Sequence, residues 1–551
     1  MTSRTVLSLS QKMEIELAYV LVTVITIGWL YYWLTKDHDY FHHKPIPSMA
    51  VWPIVGSTGP LLFKKHSFTE FVKIIYDKFD GVKVFGLFDA NAPLYVIRDP
   101  EMIKKIGIKD FDHFMNHRPI WGQAEGDHPN LLFAKSLFVL NDQKWRDMRV
   151  TLSPAFTGSK MRQMFELVVE CSASMAQFFQ KESQLSGRSQ VYEMKDVFSR
   201  FTNDVIATCA FGIKVDSLRN PKNEFYAHGN VMFKFDTLAA LIRTFGHRYI
   251  PSVMSYFGID LLDRVHNTYF SSLIKQAIKS RETQGIVRPD MVHLLMQARK
   301  GMLKNQHEIE QNESFATVKE FEHGKGTSSI VMTEVEMIAQ CLIFFVAGFD
   351  TVSTCLTFLA YELTINSDVQ KRLYEEILET HESLNGKPLN YDTLQKMKYM
   401  DMVVSESLRK WPPVPAIDRL CVQDYEFDDG QGMKFTIEKG AAIWLPFHGL
   451  HHDPKYYVNP EQFLPERFSD ENKANINPNA YLPFGIGPRN CIGSRFALME
   501  VKAIVFYMLM KFSFERTEKT QVPLKLAKGY LGVHSRNGVF VEFKLRKSLT
   551  S

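Results

Sequence analysis

The stretch Phe484-Gly-Ile-Gly-Pro-Arg-Asn-Cys-Ile-Gly493 lies near the C-terminal end of a chain of 551 residues. Its glycines, Gly485, Gly487 and Gly493, let the backbone pass close to a flat ring where a side chain would clash. Backbone N–H groups in such a turn can point at the sulfur of Cys491 and stabilise its negative charge. We therefore interpret Cys491 as a thiolate ligand to a haem iron. The alternative is a glycine-rich surface loop that carries a buried, inert cysteine.

This stretch resembles the signature of the cytochrome P-450 superfamily of haem-thiolate monooxygenases. The signature, Phe-x-x-Gly-x-Arg-x-Cys-x-Gly, is matched at Phe484, Gly487, Arg489, Cys491 and Gly493. The resemblance implies a cytochrome P-450 fold, mainly α with small β-sheets, and a haem b cofactor held by Cys491 as axial ligand. It also places Phe484 and Arg489 at the cofactor, where the guanidinium fork of Arg489 can reach an anionic edge.

The segment Thr333–Asn366 is predicted to form a long apolar helix that begins with a capping box of Thr333 and Glu336. Its middle, Ala347-Gly-Phe-Asp-Thr351, matches a second pattern of the family. The resemblance implies that Gly348 leaves room for a haem face, and that Asp350 and Thr351 deliver two protons to dioxygen. A packing notch is the alternative for the Gly/Thr pair, but an Asp in an apolar helix needs another explanation because burying a lone charge is costly.

Three further residues are expected to bind the cofactor. Trp145 and Arg149 are four residues apart and so share one face of a helix. The family's Trp-x-x-x-Arg pair hydrogen-bonds a haem propionate, and Arg419 matches a family residue that contacts the second propionate. Stacking of Trp145 and Arg149 at the surface is the alternative for the first pair.

A structural role is predicted for Glu406, Arg409 and Arg467. The first two lie three residues apart on one helix face, matching the family's Glu-x-x-Arg, and Pro465-Glu-Arg-Phe468 supplies the third. In the family these residues form a buried ion network around the haem loop. An exposed salt bridge is the alternative for Glu406 and Arg409 alone.

The substrate cavity is expected to be lined by apolar residues from distant segments. Phe111–Leu140 matches a family loop over the haem, although it can equally be a loop packed on the core. Val231–Tyr256 should include the helices that open and close over the cavity, with a simple core helix as the alternative. The candidate lining residues are Phe133, Phe138, Phe345, Val414 and Ala416.

Several other elements follow from local patterns. Val82–Phe88 and Pro93–Ile97 are predicted strands of a hairpin. Phe165–Lys181 and Val191–Phe211 are predicted amphipathic helices, and Arg299–Ser329 is a polar, solvated connection.

The N-terminal part is predicted to anchor the chain in a membrane. Leu17–Leu34 is an uncharged run of 18 residues, and as a helix it spans about 27 Å, close to a hydrocarbon core. A cleaved signal peptide is the alternative, but Trp29-Leu-Tyr-Tyr-Trp33 is an aromatic belt rather than a cleavage site. We divide the chain into an anchor (1–35), a proline-rich linker (36–54) and a catalytic domain (55–551). The resemblance implies the endoplasmic reticulum membrane, with the catalytic domain facing the cytosol.

Composition sets outer limits on other functions. The net charge of +4 is mild for this length and argues neither for nor against nucleic acid, and we expect no nucleic-acid partner. The six cysteines are scattered, without a C-x-x-C pair, so they suggest neither a zinc site nor a disulfide framework. His448, His451 and His452 are close in sequence, but the resemblance gives them no metal role.

The predicted reaction is insertion of one oxygen atom from O₂ into a small lipophilic substrate. The resemblance implies electrons from NADPH through a flavoprotein reductase, with a b-type cytochrome as a further partner, and is strongest to the insect microsomal branch that handles xenobiotics. A basic docking face for the reductase is suggested by Lys144, Arg146, Lys160, Arg162 and Lys502. Two alternatives remain open: an enzyme that rearranges a peroxide without a reductase, and a haem protein that only binds ligands.

Overall fold

The computed structural model describes residues 9–53, 55–119, 128, 130–232, 237–302, 314–317, 332–529 and 532–546. Most of the predicted polar connection Arg299–Ser329 lies outside these residues. The helices of the described residues are α1 (Leu9–Thr35), α2 (Gly59–Leu62), α3 (Phe68–Lys78), α4 (Pro100–Lys104), α5 (Asp142–Leu152), α6 (Gly158–Ser186), α7 (Met194–Ile206), α8 (Glu224–Met232), α9 (Leu238–Tyr249), α10 (Pro251–Tyr256), α11 (Arg264–Gln284), α12 (Met291–Arg299), α13 (Glu334–Ile365), α14 (Ser367–Ser383), α15 (Tyr391–Gln395), α16 (Lys398–Lys410), α17 (Phe447–His451) and α18 (Ser494–Lys511).

The strands form three small sheets, so the fold is mainly helical, as predicted. The strands are β1 (Val84–Asp89), β2 (Ala92–Ile97), β3 (Gln190–Glu193), β4 (Ile417–Leu420), β5 (Tyr425–Asp428), β6 (Lys434–Ile437), β7 (Ala442–Leu445), β8 (Phe512–Glu515) and β9 (Phe540–Leu545). The sheet orders are β1-β2-β7-β4, β3-β9-β8 and β5-β6. The pair β2/β7 is parallel and the other pairs are antiparallel.

Helix α13 runs through the core and confirms the predicted long apolar helix. Thr333 caps it, with the Thr333 hydroxyl accepting from the Glu336 amide and the Glu336 carboxylate accepting from the Thr333 amide. Because both exchanges of a capping box are present, the start of the helix is fixed by local sequence. Most of its side chains are buried, and it packs against α7 and α18.

The predicted hairpin is also confirmed, since β1 and β2 pair from Val84 opposite Ile97 to Asp89 opposite Ala92. The proline-bearing segment before it lies on this sheet: the Met49 amide donates to the Gly86 carbonyl at 2.8 Å. The ring of Phe41 covers Gly86 so closely that a Cβ there would lie 2.6 Å from it. Residues 41–49 are therefore held against the β1–β2 hairpin.

The predicted helix Val191–Phe211 is wrong in its first turn. Residues Gln190–Glu193 instead form β3, which pairs with β9 near the C-terminus. The Glu193 side chain then accepts from the Asp196 amide and caps α7. Pairing with a distant strand overrides the local helical pattern here.

Helix α1 is the membrane-anchor candidate. The overlapping stretch Lys12–His43 is long and apolar enough to cross a membrane, and its most apolar part is not buried against the rest of the described protein. Helix α13 passes the same test by length and composition but is largely buried, as a core helix is.

The buried ion network contains all three predicted residues. Glu406 and Arg409 are fully buried and joined by two hydrogen bonds, at 2.7 Å and 2.9 Å. Arg467 Nε lies 3.3 Å from Glu406 Oε1. Arg409 also donates to the carbonyls of His451 and Pro460, so the network joins α16 to the segment that leads to the cysteine loop.

Replacing Arg409 by leucine should leave the buried Glu406 carboxylate with only the more distant Arg467 as counter-charge, and lower the free energy of unfolding by about 3–5 kcal/mol. Arg372→Leu is the matched control, because Arg372 pairs with Glu466 at 2.8 Å but its side chain is 57% exposed. That surface change should cost less than about 1 kcal/mol. Urea unfolding followed by circular dichroism measures both, and equal shifts would show that burial of the network contributes nothing.

Candidate active site

The loop around Cys491 is a tight turn held by its own backbone. The Cys491 amide donates to the Phe484 carbonyl at 2.9 Å, and the Asn490 amide donates to the Gly487 carbonyl at 3.0 Å. Gly487 has a φ of +71°, and a Cβ there would lie 1.7 Å from the Gly107 carbonyl oxygen. Only glycine allows this turn to rest on the backbone at residue 107.

Cys491 lies deep among protein atoms yet keeps an exposed side chain. Burial raises the pKa of its thiol, while the Gly493 amide and Arg149 act in the opposite direction. The Gly493 amide and Arg149 therefore favour the thiolate form of Cys491, and a bound metal cation would favour it further. The combination of depth and accessible surface indicates that the sulfur borders an internal hollow.

The opposite side of this hollow is the middle of α13. Phe156 lies between the cysteine loop and α13. Its ring lies next to Gly493 of the loop, and the centre of the ring is 5.2 Å from that of Phe344 on α13. Ala347, one turn further along α13, is exposed although the helix around it is buried. Thr351 follows after another turn and donates its hydroxyl proton to the Ala347 carbonyl at 2.6 Å. Ala347 and Thr351 therefore mark the stretch of α13 that faces the hollow.

Helix α5 flanks the cysteine loop through both predicted residues. Arg149 donates from Nη1 to the Asn490 carbonyl at 3.0 Å and from Nη2 to Asn490 Oδ1 at 2.6 Å. Trp145 is buried, and the guanidinium carbon of Arg489 lies 4.3 Å from the centre of its ring. The surface-stacking alternative for Trp145 and Arg149 is therefore wrong.

Arg489 is placed differently from the expectation. Its guanidinium donates to backbone carbonyls, at 2.8 Å to Met115, 3.1 Å to Phe138 and 2.6 Å to Leu140. These contacts hold the cysteine loop against the segment before α5. They use the guanidinium N–H groups of Arg489 that were predicted to bind an anionic edge of the cofactor. The geometry favours a positioning role for Arg489.

Arg419 retains donors that can serve such an anion. It is buried in β4, and its Nη1 donates to the Asp418 carbonyl at 2.8 Å. Within the part of the chain that the structure describes, its Nε and Nη2 have no acceptor. Burial lowers the pKa of Arg419 to about 10, and Asp418 opposes that shift. Buried donors are almost always paired, so these two indicate a missing acceptor.

The charges around Arg489 fit an anionic cofactor. Burial and the positive charge of Arg419 hold the pKa of Arg489 well below its ordinary value, Asp418 opposes the shift, and Arg149 adds to it. Three guanidinium groups thus converge beside the cysteine loop, and a group with two carboxylates would relieve their repulsion. The exposed sulfur, the open face of α13 and the unpaired donors of Arg419 all fit haem.

Asp350 is paired rather than alone in its apolar helix. Lys195, on α7, lies with Nζ 2.7 Å from Asp350 Oδ1 and also donates to the hydroxyls of Ser353 and Thr354, both at 2.8 Å. Burial alone would raise the pKa of Asp350, but Lys195 and His534 hold it below its ordinary value. The carboxylate is therefore ionised at neutral pH. No local signal in the sequence pointed to Lys195.

Two predicted site residues face elsewhere. A Cβ on Gly348 would lie 2.8 Å from Ile206, so its missing side chain makes room for α7 and not for a cofactor. Phe345 is fully buried, with its ring 5.4 Å from Phe225 and 4.7 Å from Phe270. It is a core residue, because its face of α13 meets α8 and α11 and not the hollow.

The other cavity candidates divide between exposed and buried positions. Val414 is 41% exposed, and Phe138 is half-buried and stacked on His117 at 4.6 Å. Ala416 and Phe133 are buried, and the Phe133 amide donates to Asp260 at 2.9 Å. Phe484 is half-buried beside the main core. Val414 and Phe138 therefore keep accessible surface, and their place in the substrate cavity stays a prediction.

The predicted basic docking face loses one member. Lys502 is fully buried with its Nζ 2.8 Å from Asp401 Oδ1, so it belongs to the core. Lys144 is exposed and Lys160 is half-exposed. Arg146 and Arg162 are partly exposed and pair with Asp112 and Asp392, respectively.

The chain is similar to known proteins over most of its length. A family model described as Cytochrome P450 matches residues 46–541. Cytochrome P450 9e2 of Blattella germanica is 44% identical over 507 residues, covering 90% of this chain and 91% of the relative. Probable cytochrome P450 9f2 of Drosophila melanogaster is 40% identical over 528 residues, covering 95% and 98%. Cytochrome P450 3A9 of Rattus norvegicus is 33% identical over 514 residues, covering 92% and 93%.

Gly487→Ala should destabilise the protein more than Gly430→Ala. Both glycines have a φ of +71°, but a Cβ at Gly430 meets nothing within 4 Å. The left-handed backbone alone costs about 1–2 kcal/mol, and the overlap with Gly107 should add about 1–3 kcal/mol. Urea unfolding of the two variants measures the difference. An equal cost would mean that the loop does not rest on residue 107 as described.

Proposed function

We propose that this protein oxidises small lipophilic compounds with Cys491 as the thiolate ligand of a haem b. The chain belongs to the cytochrome P450 family, in which it groups with the insect members, and it is a monooxygenase. The observation that carries this assignment is the accessible Cys491 sulfur opposite the open face of α13. When bound, the haem supplies the activation of dioxygen. The steps below concern what the residues of this chain do.

Cofactor binding would use the charges beside the cysteine loop. Cys491 would hold the metal, and the unpaired Nε and Nη2 of Arg419 would donate to one carboxylate of the cofactor edge. Trp145 and Arg149 line the same edge from α5, while Arg149 also fixes Asn490 next to the ligand. Arg489 acts indirectly, by anchoring the loop to the carbonyls of Met115 and Leu140.

Proton delivery would use Asp350 and Thr351. The Thr351 hydroxyl bonds to the Ala347 carbonyl, and it can instead hold a water molecule where the helix faces the hollow. Asp350 is ionised beside Lys195 and can accept a proton from solvent and pass it toward Thr351. The Ser353 and Thr354 hydroxyls give the Lys195 ammonium alternative partners when the carboxylate turns away.

Electrons would come from NADPH through a flavoprotein reductase, with a b-type cytochrome as a second donor. Lys144, Lys160, Arg146 and Arg162 would form the docking face for an acidic partner. The last two already pair with surface carboxylates, so Lys144 and Lys160 contribute most of the free positive charge.

Membrane attachment would place the catalytic part at the cytosolic face of the endoplasmic reticulum. We assign residues 1–35 as the anchor, 36–54 as the linker and 55–551 as the catalytic domain. Helices α9 and α10 carry exposed apolar side chains, among them Ile242 and Tyr256, and Phe257 directly after α10 is exposed as well. These side chains suit contact with lipid. Lipophilic xenobiotics dissolved in the membrane would meet the protein at this surface.

The cofactor assignment is tested by reducing the detergent-solubilised protein under carbon monoxide and recording the Soret band. The wild type should give the far-red-shifted band of thiolate ligation, and Cys491→Ser should lose it. Cys421→Ser is the control, since Cys421 is a buried cysteine with no proposed role. An imidazole-type spectrum in the wild type, or an unchanged band in Cys491→Ser, contradicts the proposal.

The proton-delivery assignment is tested by the pH profile of product formation. Lys195→Met removes the charge that holds the pKa of Asp350 down, so burial then raises that pKa. The ionised carboxylate is lost as pH falls through the higher pKa, and the acidic limb of the profile should move to higher pH. Lys195→Arg should keep the wild-type profile.

The matched control for Lys195→Met is Lys73→Met, because Lys73 pairs with Asp77 at the surface. Asp350→Asn should lower product formation by roughly tenfold to a hundredfold with the carbon monoxide spectrum unchanged. If Lys195→Met and Lys73→Met give the same profile, Asp350 does not depend on Lys195 during turnover.

A further inference from the structure

A short turn in the connection between α12 and α13 packs onto the core. In Ser314–Thr317, which we call the clip, the Thr317 amide donates to the Ser314 carbonyl at 2.9 Å. Ser314 and Ala316 are buried, and Phe315 is half-buried against the main core. The prediction of a solvated connection over Arg299–Ser329 is therefore wrong at the clip, where tertiary contacts bury an aromatic residue within a polar stretch.

Asp401, in the first turn of α16, binds the clip with both carboxylate oxygens. The Ser314 hydroxyl donates to Oδ1, and the Phe315 amide donates to Oδ2 at 3.0 Å. Lys502, fully buried on α18, has its Nζ 2.8 Å from the same Oδ1. Because hydrogen bonds to an ionised carboxylate are strong, and both oxygens take part, Asp401 fixes the clip in position and direction.

The side chain of Phe315 completes a cluster of three aromatic rings. Its centre lies 5.0 Å from the ring of Phe468 and 5.4 Å from the ring of Tyr481, which are themselves 5.0 Å apart. Aromatic rings at these separations attract one another in addition to burying apolar surface. Phe468 directly follows Arg467, so the cluster packs beside the buried ion network.

Tyr481 connects this cluster to the start of the cysteine loop. Its hydroxyl donates to the Ser405 carbonyl at 2.9 Å, and its ring lies 5.7 Å from that of His451. The next residue, Leu482, donates its amide to His451 Nε2 at 2.9 Å and accepts from the Gly485 amide at 3.1 Å. Phe315 therefore packs on the residue from which the cysteine loop begins.

We propose that Phe315 is a positioning residue for the cysteine loop, and that the clip keeps Cys491 ligated to the haem by holding Tyr481 in place. The inference rests on the proposed function for the group that Cys491 binds, whereas the clip is a property of the protein itself. Without the phenyl ring, Tyr481 and Phe468 would lose a shared partner. The segment from Tyr481 to Gly493 would then open locally more often, and each opening would expose the sulfur ligand.

The test uses the full-length haem-loaded protein with Phe315→Ala. The far-red-shifted band under carbon monoxide would be recorded over time at a fixed temperature, and its rate of loss reports the loss of thiolate ligation. Hydrogen–deuterium exchange would report the opening of residues 481–493. We expect both rates to rise roughly tenfold, because a phenyl ring is lost from a packed cluster. Exchange of residues 84–97 should not change.

The matched control is Phe178→Ala, on α6. Phe178 is also half-buried against the main core, and its ring lies 5.2 Å from that of Phe179. This variant should keep the wild-type lifetime of the band even if it lowers the free energy of unfolding. Phe315→Leu restores apolar volume and should recover most of that lifetime. Ser314→Ala keeps the ring but removes one donor to Asp401, so it should give a smaller acceleration of both rates.

An unchanged band lifetime in Phe315→Ala would overturn the positioning role, as would an equal acceleration in Phe178→Ala. Faster exchange of residues 481–493 without faster loss of the band would make the clip a packing contact only, and would overturn the role as well. If the wild type gave no far-red-shifted band, the proposed function would fail, while the exchange of residues 481–493 in Phe315→Ala would still decide whether the clip holds the cysteine loop.

Discussion

The buried ion pair between Glu406 and Arg409 is the interaction on which the rest of the site depends. Arg409 binds both oxygens of Glu406 and the His451 carbonyl. His451 in turn accepts the Leu482 amide at 2.9 Å, directly before the cysteine loop. The charges of Glu406 and Arg409 are shielded from solvent, so they are stable only when every donor and acceptor has a partner. This requirement fixes how α16, His451 and the segment before the cysteine loop are arranged. The position of Cys491 follows from that arrangement.

The features that could be predicted from the sequence are those that depend on residues close to one another along the chain. The capping box at Thr333, the β1–β2 hairpin and the turn around Cys491 are encoded within a few residues, and all three form as predicted. Gly348 and Phe345 lie on a correctly predicted helix but face other helices. Periodicity gives a helix and its apolar faces, but it does not tell which neighbour each face meets.

Long-range partners were beyond the reach of local patterns. Lys195 lies 155 residues before Asp350, and no spacing rule joins them. Lys502 looked like a surface charge because its partner, Asp401, belongs to another helix. Strand β3 exists only because β9 lies beside it. In each of these places the deciding contact is tertiary, whereas the sequence pattern reports local propensity.

Two paired carboxylates, Asp89 and Asp350, are held in different ways, and this difference decides which of them can change partners. Burial alone would raise the pKa of Asp89, but Arg248 and Arg118 lower it to about 2, so it remains a fixed negative charge. Asp350 is ion-paired with Lys195, whose ammonium also donates to the hydroxyls of Ser353 and Thr354. When Asp350 turns away, Lys195 keeps two acceptors and is not stranded, so the change of partner is cheap. Asp89 has no such freedom because its departure would leave Arg248 without its carboxylate and Arg118 with Asp418 alone, at 3.6 Å. Asp350 is therefore free to change partners, as the proposed proton delivery requires, while Asp89 holds structure in place.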